Sequence, residues 1–383
     1  MQPKTTDMLD DFKKYVENFK PNLIAVSCVE CTYTLSLKLL NQIKGKKIPT
    51  IMGGVFATFS PEYILQNNLI DMICIGEGED AILHAVKNLS QNISLENIPN
   101  IWIKNKTGVH PPTSYKLMDL AKLPIPEFNV FAPERIYRSM DGNVYRMIPV
   151  EISRGCPYQC TYCSAPAYRN KFNSSGKWLR FKSIDQIIAE IDFYYNNYNV
   201  EYFYFISETF LAFPKKEREL FYKKYQKYKI PFWFNTRPET VTKDDIKKLE
   251  DIGCHRISIG IESGDPEFRK KILKRHYSNE QTLEAIQTII DSSIQLSVNN
   301  MIGFPEETIE SIIKTIDFNR KFNADSHTVS VFQPYRGTEL FDYCVKKGYW
   351  DKNKICENSF SEPVLENQLI SKIDIKNLYK NFN

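Results

Sequence analysis

The chain has 383 residues, and its 50 Lys or Arg side chains nearly balance its 46 Asp or Glu side chains, giving a net charge of +4. A composition of 42% hydrophobic and 25% charged residues is typical of a folded globular protein and excludes a mainly disordered or low-complexity chain. At about 150 residues per domain, this length predicts two or three domains.

Charge and hydropathy also narrow the cellular context. No apolar run approaches the roughly 18 residues that a membrane-spanning helix needs, and acidic residues stand near the start, where a signal peptide would carry an apolar core. Lysines over residues 215–227 are interleaved with Glu and Tyr at helical spacing, which is typical of a solvated helix face. The sequence therefore predicts a cytoplasmic protein without a membrane or nucleic-acid partner.

Residues 1–90 alternate between helical and strand periodicity, which predicts an α/β domain with an open parallel sheet. Strands are expected at 23–28, 49–52 and 70–75. Glycines and an acid follow two of these strands directly, namely Gly53, Gly54, Gly76 and Glu77. Open α/β sheets bind ligands at the carboxyl ends of their strands, so these positions mark an expected binding edge.

The alternation between helical and strand periodicity stops after residue 90 and returns at about residue 146. Residues 91–145 are rich in Asn and Pro and predict a connector with one short strand at 101–103. Residues 146–345 predict a partial (β/α)6 TIM-type barrel, and residues 346–383 a short polar tail. The six barrel strands are expected at 147–153, 200–206, 232–235, 255–261, 296–302 and 327–332.

A cysteine cluster directly follows the first barrel strand, with Cys156, Cys160 and Cys163 in a C-x3-C-x2-C spacing. Three thiolates this close together favour zinc or an iron–sulfur centre. A structural zinc site needs a fourth ligand, and no other Cys or His lies nearby in the sequence, whereas a four-iron cluster on three cysteines keeps one iron open. A structural zinc loop or a simple electron carrier stays open as an alternative.

The cysteine loop, including Tyr162 just before the third cysteine, resembles the signature of the radical S-adenosylmethionine (SAM) superfamily. The resemblance implies a [4Fe–4S] cluster on Cys156, Cys160 and Cys163, which would be both metal ligands and catalytic residues. It also implies that SAM binds the open iron and is cleaved reductively to a 5′-deoxyadenosyl radical. An electron donor such as flavodoxin or ferredoxin would then be a partner.

The resemblance covers roughly residues 145–345 and implies further SAM contacts. Glu208 would lie near the SAM amino group and Glu262 at the ribose hydroxyls, with Gly303, Pro305 and Tyr162 around the adenine.

Each implied SAM contact also has a structural interpretation. Glu208 could be an acid at a helix amino terminus, Glu262 half of a buried ion pair, and Tyr162 core packing. Arg237 is either a carboxylate anchor or a solvated arginine.

The amino-terminal segment resembles the cobalamin-binding domain of one radical SAM subgroup. The matching positions, which would approach the corrinoid, are Ser27, Gly53, Gly54, Gly76 and Glu77. The first strand of that domain and its D-x-H-x-x-G loop are missing, so the domain is either shortened or a vestige that holds cobalamin weakly.

Together these features predict a radical SAM enzyme that methylates an unactivated carbon of a small-molecule or peptide substrate with the help of cobalamin. Two alternatives remain open. One is a cobalamin-independent radical rearrangement, cyclisation or oxidation. The other is a truncated, non-catalytic iron–sulfur or SAM-binding scaffold.

Overall fold

The computed structural model describes residues 6–105, 108–357, 360–366 and 369–382. Its strands are β1 (Ile24–Ser27), β2 (Thr50–Gly53), β3 (Met72–Cys74), β4 (Ile101–Asn105), β5 (Gly108–His110), β6 (Tyr137–Met140), β7 (Asn143–Glu151), β8 (Ser153–Arg154), β9 (Arg180–Phe181), β10 (Tyr202–Ile206), β11 (Phe232–Thr236), β12 (Cys254–Glu262), β13 (Gln295–Ile302) and β14 (Ser326–Val331). Its α-helices are α1 (Met8–Phe19), α2 (Tyr33–Asn41), α3 (Val55–Phe59), α4 (Pro61–Leu65), α5 (Glu79–Ser90), α6 (Ala165–Lys171), α7 (Ile184–Tyr198), α8 (Lys215–Tyr225), α9 (Lys243–Asp251), α10 (Pro266–Lys271), α11 (Asn279–Ile290), α12 (Ile309–Asn319), α13 (Glu339–Lys347) and α14 (Lys372–Lys380).

The chain divides into two units, and the first contains a five-stranded sheet in the order β1-β2-β3-β4-β5. This unit comprises Met1–Met118, Asn170–Gly176 and Gln333–Ser359. Strands β1 to β3 are parallel, which confirms the predicted open α/β sheet. Strands β4 and β5 continue the sheet in antiparallel fashion. The sequence does not predict β5, because all three of its residues are exposed and carry no apolar alternation.

The second unit is built on a seven-stranded sheet in the order β14-β13-β12-β11-β10-β7-β6. It comprises Asp119–Arg169, Lys177–Phe332 and Phe360–Asn383. Six strands of this sheet run parallel and form the predicted half-barrel, namely β7, β10, β11, β12, β13 and β14. Strand β6, within the predicted connector, pairs with β7 in antiparallel fashion, and β8 and β9 form a separate antiparallel pair. The domain boundaries expected from the sequence stay a prediction, since both units are assembled from separate chain segments.

Aromatic side chains fill the core of the half-barrel and hold its strands against the surrounding helices. Phe203, Phe205, Phe232 and Phe234 are fully buried, and the apolar stripe of α7 joins the same core. Burying each such side chain stabilises the fold by about 1.5–3 kcal/mol. The helix begins after Ser183, whose hydroxyl accepts a hydrogen bond from the Gln186 amide and caps the helix.

Helix α14 lies in the segment that the sequence predicts as a polar tail. Its Ile375 is 1% exposed and packs with Ile302, Ile312 and Val331 of the half-barrel. On the opposite face, Ile373 is 73% exposed. The helix is short, and its packed residues Ile375, Leu378 and Tyr379 recur at helical spacing. This short apolar stripe is surrounded by polar residues, which make the segment resemble a polar tail.

Candidate active site

The three cysteines lie in the loop between β8 and α6, close to the carboxyl end of β7. Cys160 is buried, whereas Cys156 and Cys163 are partly exposed. Burial raises the pKa of the Cys163 thiol to about 12 and also raises the pKa of the Cys156 thiol. The nearby Cys160 thiol adds to both rises by charge repulsion. Across the described residues, no trio of His, Cys, Asp or Glu is already arranged to hold a metal ion.

Glycine at position 155 lets the backbone enter this loop. Gly155 has a φ of +91°, and a Cβ there would lie 2.5 Å from the Trp178 carbonyl oxygen. Farther along, the Thr161 hydroxyl donates to the Ile272 carbonyl at 2.7 Å, and the Thr161 amide donates to the Leu273 carbonyl at 3.3 Å. The loop that carries the thiols is therefore fixed at both ends.

Arg237 is buried beside Cys160, which rules out the interpretation as a solvated arginine. It is 6% exposed, and its Nη1 lies 3.0 Å from the Cys160 Sγ. Its Nε donates to Glu239 at 2.8 Å, and its guanidinium stacks 3.7 Å from the centre of the Tyr158 ring. A positive group at this thiol suits an anionic iron–thiolate centre, and soft thiolates suit iron. The donor set therefore fits the expected cluster.

Arg275 connects several of the predicted site residues and is not predicted by any motif in the sequence. It is 4% exposed and donates to the Tyr162 hydroxyl at 2.8 Å and to the Gly260 carbonyl at 2.5 Å. Its Nη1 lies 3.4 Å from Glu262 Oε1. The only sequence signal is its place in a basic segment, 269–275, which is equally typical of a solvated helix end.

Glu262 ends β12 in a tight turn with an unusual backbone conformation. Its φ is +68°, and the Ser263 amide donates to the Ile261 carbonyl at 2.9 Å, which closes a three-residue γ-turn. A non-glycine residue in this region costs about 1–3 kcal/mol and is often found at functional sites. The pairing with Arg275 agrees with the ion-pair interpretation, and the role at the ribose stays a prediction.

Glu208 follows β10 at the same end of the barrel as the cysteine loop. Its side chain reaches solvent, yet desolvation by the surrounding protein raises the pKa of its carboxyl. The Gly155 amide donates to its Oε1 at 3.3 Å and partly offsets that rise. Glu208 is thus tied to the start of the cysteine loop and open to a ligand.

The turn after β13 is held by a buried carboxyl group that the sequence does not single out. Glu307 Oε2 accepts hydrogen bonds from the amides of Gly303 at 2.6 Å and Phe304 at 3.1 Å. Burial raises the pKa of Glu307 to about 8, and its Oε1 has no hydrogen-bond partner among the residues that the structure describes. The Phe304 ring lies 5.8 Å from that of Tyr162, so this turn and the cysteine loop meet. Pro305 is buried in the same turn.

The positions predicted for cobalamin lie at the carboxyl edge of β1 to β3 in the first unit, and they divide into two groups. Ser27 is exposed beside its strand partner Gly53, while Gly54 has a φ of +98°. Gly76 instead packs against Phe172, because a Cβ there would lie 2.3 Å from the ring. Glu77 accepts a hydrogen bond from the Met118 amide at 2.5 Å. A Cβ at Gly54 would lie 2.5 Å from the Cys28 carbonyl oxygen, so of these positions Ser27 and Gly53 leave backbone open to a ligand.

Two protein-family models match the chain. Residues 150–318 match the radical SAM superfamily, and residues 1–86 match the B12 binding domain. Over these residues the chain is similar to the radical SAM superfamily and to the B12 binding domain. Its cysteine loop and half-barrel lie inside the first match, and the sheet edge at Ser27 and Gly53 lies inside the second.

Curated relatives span most of the chain at low identity. An uncharacterized methyltransferase of Pyrococcus horikoshii is 27% identical over 88% of the chain and 72% of the relative. Cytidylyl-2-hydroxyethylphosphonate methyltransferase of Streptomyces wedmorensis is 22% identical over 89% of the chain and 70% of the relative.

A solved structure shares the fold. The radical SAM methyltransferase TsrM of Kitasatospora setae, solved with cobalamin and a [4Fe-4S] cluster, superposes with a TM-score of 0.69 at 16% identity. The alignment covers 88% of this chain and 68% of TsrM. In addition, none of the helices among the described residues is long and apolar enough to cross a membrane.

Proposed function

We propose that this protein cleaves SAM reductively at a [4Fe–4S] cluster held by Cys156, Cys160 and Cys163. The observation that carries the proposal is the three-thiol loop at the carboxyl ends of the barrel strands, inside the radical SAM match. When bound and reduced, such a cluster supplies the electron that breaks a carbon–sulfur bond of SAM, giving methionine and a 5′-deoxyadenosyl radical.

The surrounding side chains have distinct roles in binding SAM. Glu208, open to a ligand and tied to the cysteine loop, accepts a hydrogen bond from the SAM amino group. Glu262, oriented by Arg275, accepts from the ribose hydroxyls. The turn at Gly303 and Pro305, with Tyr162, packs against the adenine. These contacts orient SAM and exclude water from the reacting bond.

We further propose that the reaction is cobalamin-dependent methylation of a small-molecule or peptide substrate, with electrons from a flavodoxin or ferredoxin. The B12 binding domain match and the methyltransferase relatives support it. Ser27 and Gly53 would hold the corrinoid, because backbone at this edge is accessible and glycine permits close approach. Gly54 would support this edge through its close approach to the Cys28 backbone. A cobalamin supplies a carrier for the methyl group.

Cofactor content tests this proposal. The protein would be purified anaerobically, reconstituted with iron and sulfide, mixed with cobalamin and gel filtered. About four iron and four sulfide per chain are expected, together with co-eluting corrinoid. With a reductant and SAM, corrinoid-dependent formation of S-adenosylhomocysteine would support methyl transfer. One tightly bound zinc and no sulfide would contradict the proposal.

The packing of Phe172 over Gly76 favours a second candidate, a cobalamin-independent radical rearrangement, cyclisation or oxidation. Under this candidate the first unit holds no corrinoid, since part of the predicted edge is filled by the protein itself. The same gel filtration separates the two candidates: an intact iron–sulfur cluster that elutes without corrinoid favours the second.

A further inference from the structure

We propose that Arg237 and Arg275 raise the reduction potential of the iron–sulfur centre by directing guanidinium N–H groups at the Cys160 sulfur. They act as positioning residues, through a cluster ligand. The inference rests on the proposed function, because it assumes that the cysteine loop holds the cluster.

Arg237 is fixed on several sides, so that one nitrogen remains for the sulfur. Its Nε and Nη2 contact Glu239 Oε1 at 2.8 and 2.6 Å. The Tyr158 ring covers its face at 3.7 Å. The remaining Nη1 donates to Cys160 Sγ at 3.0 Å. Such a guanidinium has little freedom to turn away when the charge of the centre changes.

Arg275 approaches the same sulfur from a different part of the chain. Its Nη1 donates to the Tyr162 hydroxyl at 2.8 Å and also lies 3.9 Å from Cys160 Sγ, a longer contact than that of Arg237. The group is held in place by donation to the Tyr277 hydroxyl at 2.8 Å and to the Gly260 carbonyl at 2.5 Å. Two buried arginines therefore converge on one thiol.

The other two cysteines receive weaker and uncharged partners. In the described part of the chain, Cys156 Sγ lies 3.9 Å from the Thr209 hydroxyl, and Cys163 Sγ accepts from the Ala165 amide at 3.5 Å. The positive charge is thus concentrated at Cys160. The three thiols therefore differ in their electrostatic surroundings, with Cys160 on the positive side of the site and Cys156 and Cys163 on the other.

The sign of the effect follows from electrostatics. Reduction adds one negative charge to the centre, and hydrogen bonds to its sulfurs and nearby cations stabilise that charge, which raises the potential. Glu239 and Glu262 offset part of the net charge of the arginines. The N–H groups still point at the sulfur, and their effect is strong because the site is buried.

The test is an anaerobic redox titration of the reconstituted protein, followed by electron paramagnetic resonance and carried out without SAM. Arg237→Gln is expected to move the midpoint potential to a more negative value at unchanged iron and sulfide content, and Arg237→Lys by less. Arg256→Gln is the matched control. It also removes a buried arginine of this unit, but one that binds Ser297 and Gln295.

The outcomes separate this inference from the proposed function. An unchanged potential in Arg237→Gln overturns the inference, even if SAM binds more weakly, because Arg237 would then anchor the SAM carboxylate instead. An equal shift in Arg256→Gln also overturns it, since the effect would be nonspecific. A wild-type protein that assembles no cluster contradicts the proposed function instead. If Arg237→Gln does not fold, Arg237→Lys is measured instead; a smaller shift in the same direction is expected, and an unchanged potential overturns the inference.

Discussion

Gly260 leaves the space that the Glu262 carboxylate occupies. A Cβ at position 260 would lie 2.3 Å from Glu262 Oε1 and 3.5 Å from Arg275 Nη2. Gly260 and Glu262 are separated by one residue at the carboxyl end of β12, where the pairing register with β13 shifts. Glycine at this position therefore allows the acid to turn back over its own strand and meet Arg275.

We expect Gly260→Ala to displace the Glu262 carboxylate and weaken SAM binding by about tenfold or more, which corresponds to about 1.4 kcal/mol. Equilibrium binding of SAM to the reconstituted protein measures the loss. Gly45→Ala is the control, because nothing lies within 4 Å of a Cβ at that position. If Gly260→Ala binds SAM as tightly as the wild type, the proposal that Glu262 contacts SAM is wrong.

Glu307 predicts a dependence of stability on pH. Its pKa of about 8 in the folded protein exceeds the ordinary value of 4.5, because burial favours the protonated form. The folded state then holds a proton that the unfolded state releases, so stability falls between pH 4.5 and 8 by up to about 1.4 kcal/mol per pH unit.

Glu307→Gln imitates the protonated carboxyl and retains an acceptor for the amides of Gly303 and Phe304. Denaturant unfolding at several pH values should show a flatter stability profile over this window than in the wild type. If both proteins lose stability in parallel, Glu307 is not the titrating group.

Helix α14 supports the turn at Gly303, where a Cβ would lie 3.2 Å from Ile375 Cγ2. Ile375→Ala should destabilise the second unit by about 2–4 kcal/mol, because it removes a fully buried side chain. Ile373→Ala, on the exposed face of the same helix, should change stability by less than about 0.5 kcal/mol. Equal effects in thermal unfolding would show that the helix is not packed as described.

Gly76 and Phe172 should be energetically coupled. Gly76→Ala places a methyl group against the Phe172 ring and strains a residue at a φ of +73°, which costs about 1–3 kcal/mol. Adding Phe172→Ala removes the clash, so the double variant should be less unstable than the sum of the single variants. Strict additivity in unfolding measurements would contradict this contact.

The sequence predicts the repeating parts of the fold well. The six parallel strands of the half-barrel and the first three strands of the other sheet are predicted because short apolar runs alternate with segments of helical periodicity along the sequence. Strand β5 is missed because it is wholly exposed, and helix α14 is missed because its short apolar stripe is surrounded by polar residues.

The candidate site is predictable only where spacing carries the chemistry. The cysteine loop can be predicted from the sequence because its three cysteines have a characteristic spacing along the chain. Arg275 and Glu307 do not, because a buried arginine and a buried acid look like surface charges until the fold brings them to Cys160 and Gly303.

The formation of 5′-deoxyadenosine from SAM by the reduced, reconstituted protein tests the central claim most directly. The wild type and Cys31→Ala, which removes a thiol outside the loop, should both form it. Cys156→Ala, Cys160→Ala and Cys163→Ala should each abolish it. No 5′-deoxyadenosine from a wild-type protein with a full cluster, or undiminished formation in Cys160→Ala, would contradict the account.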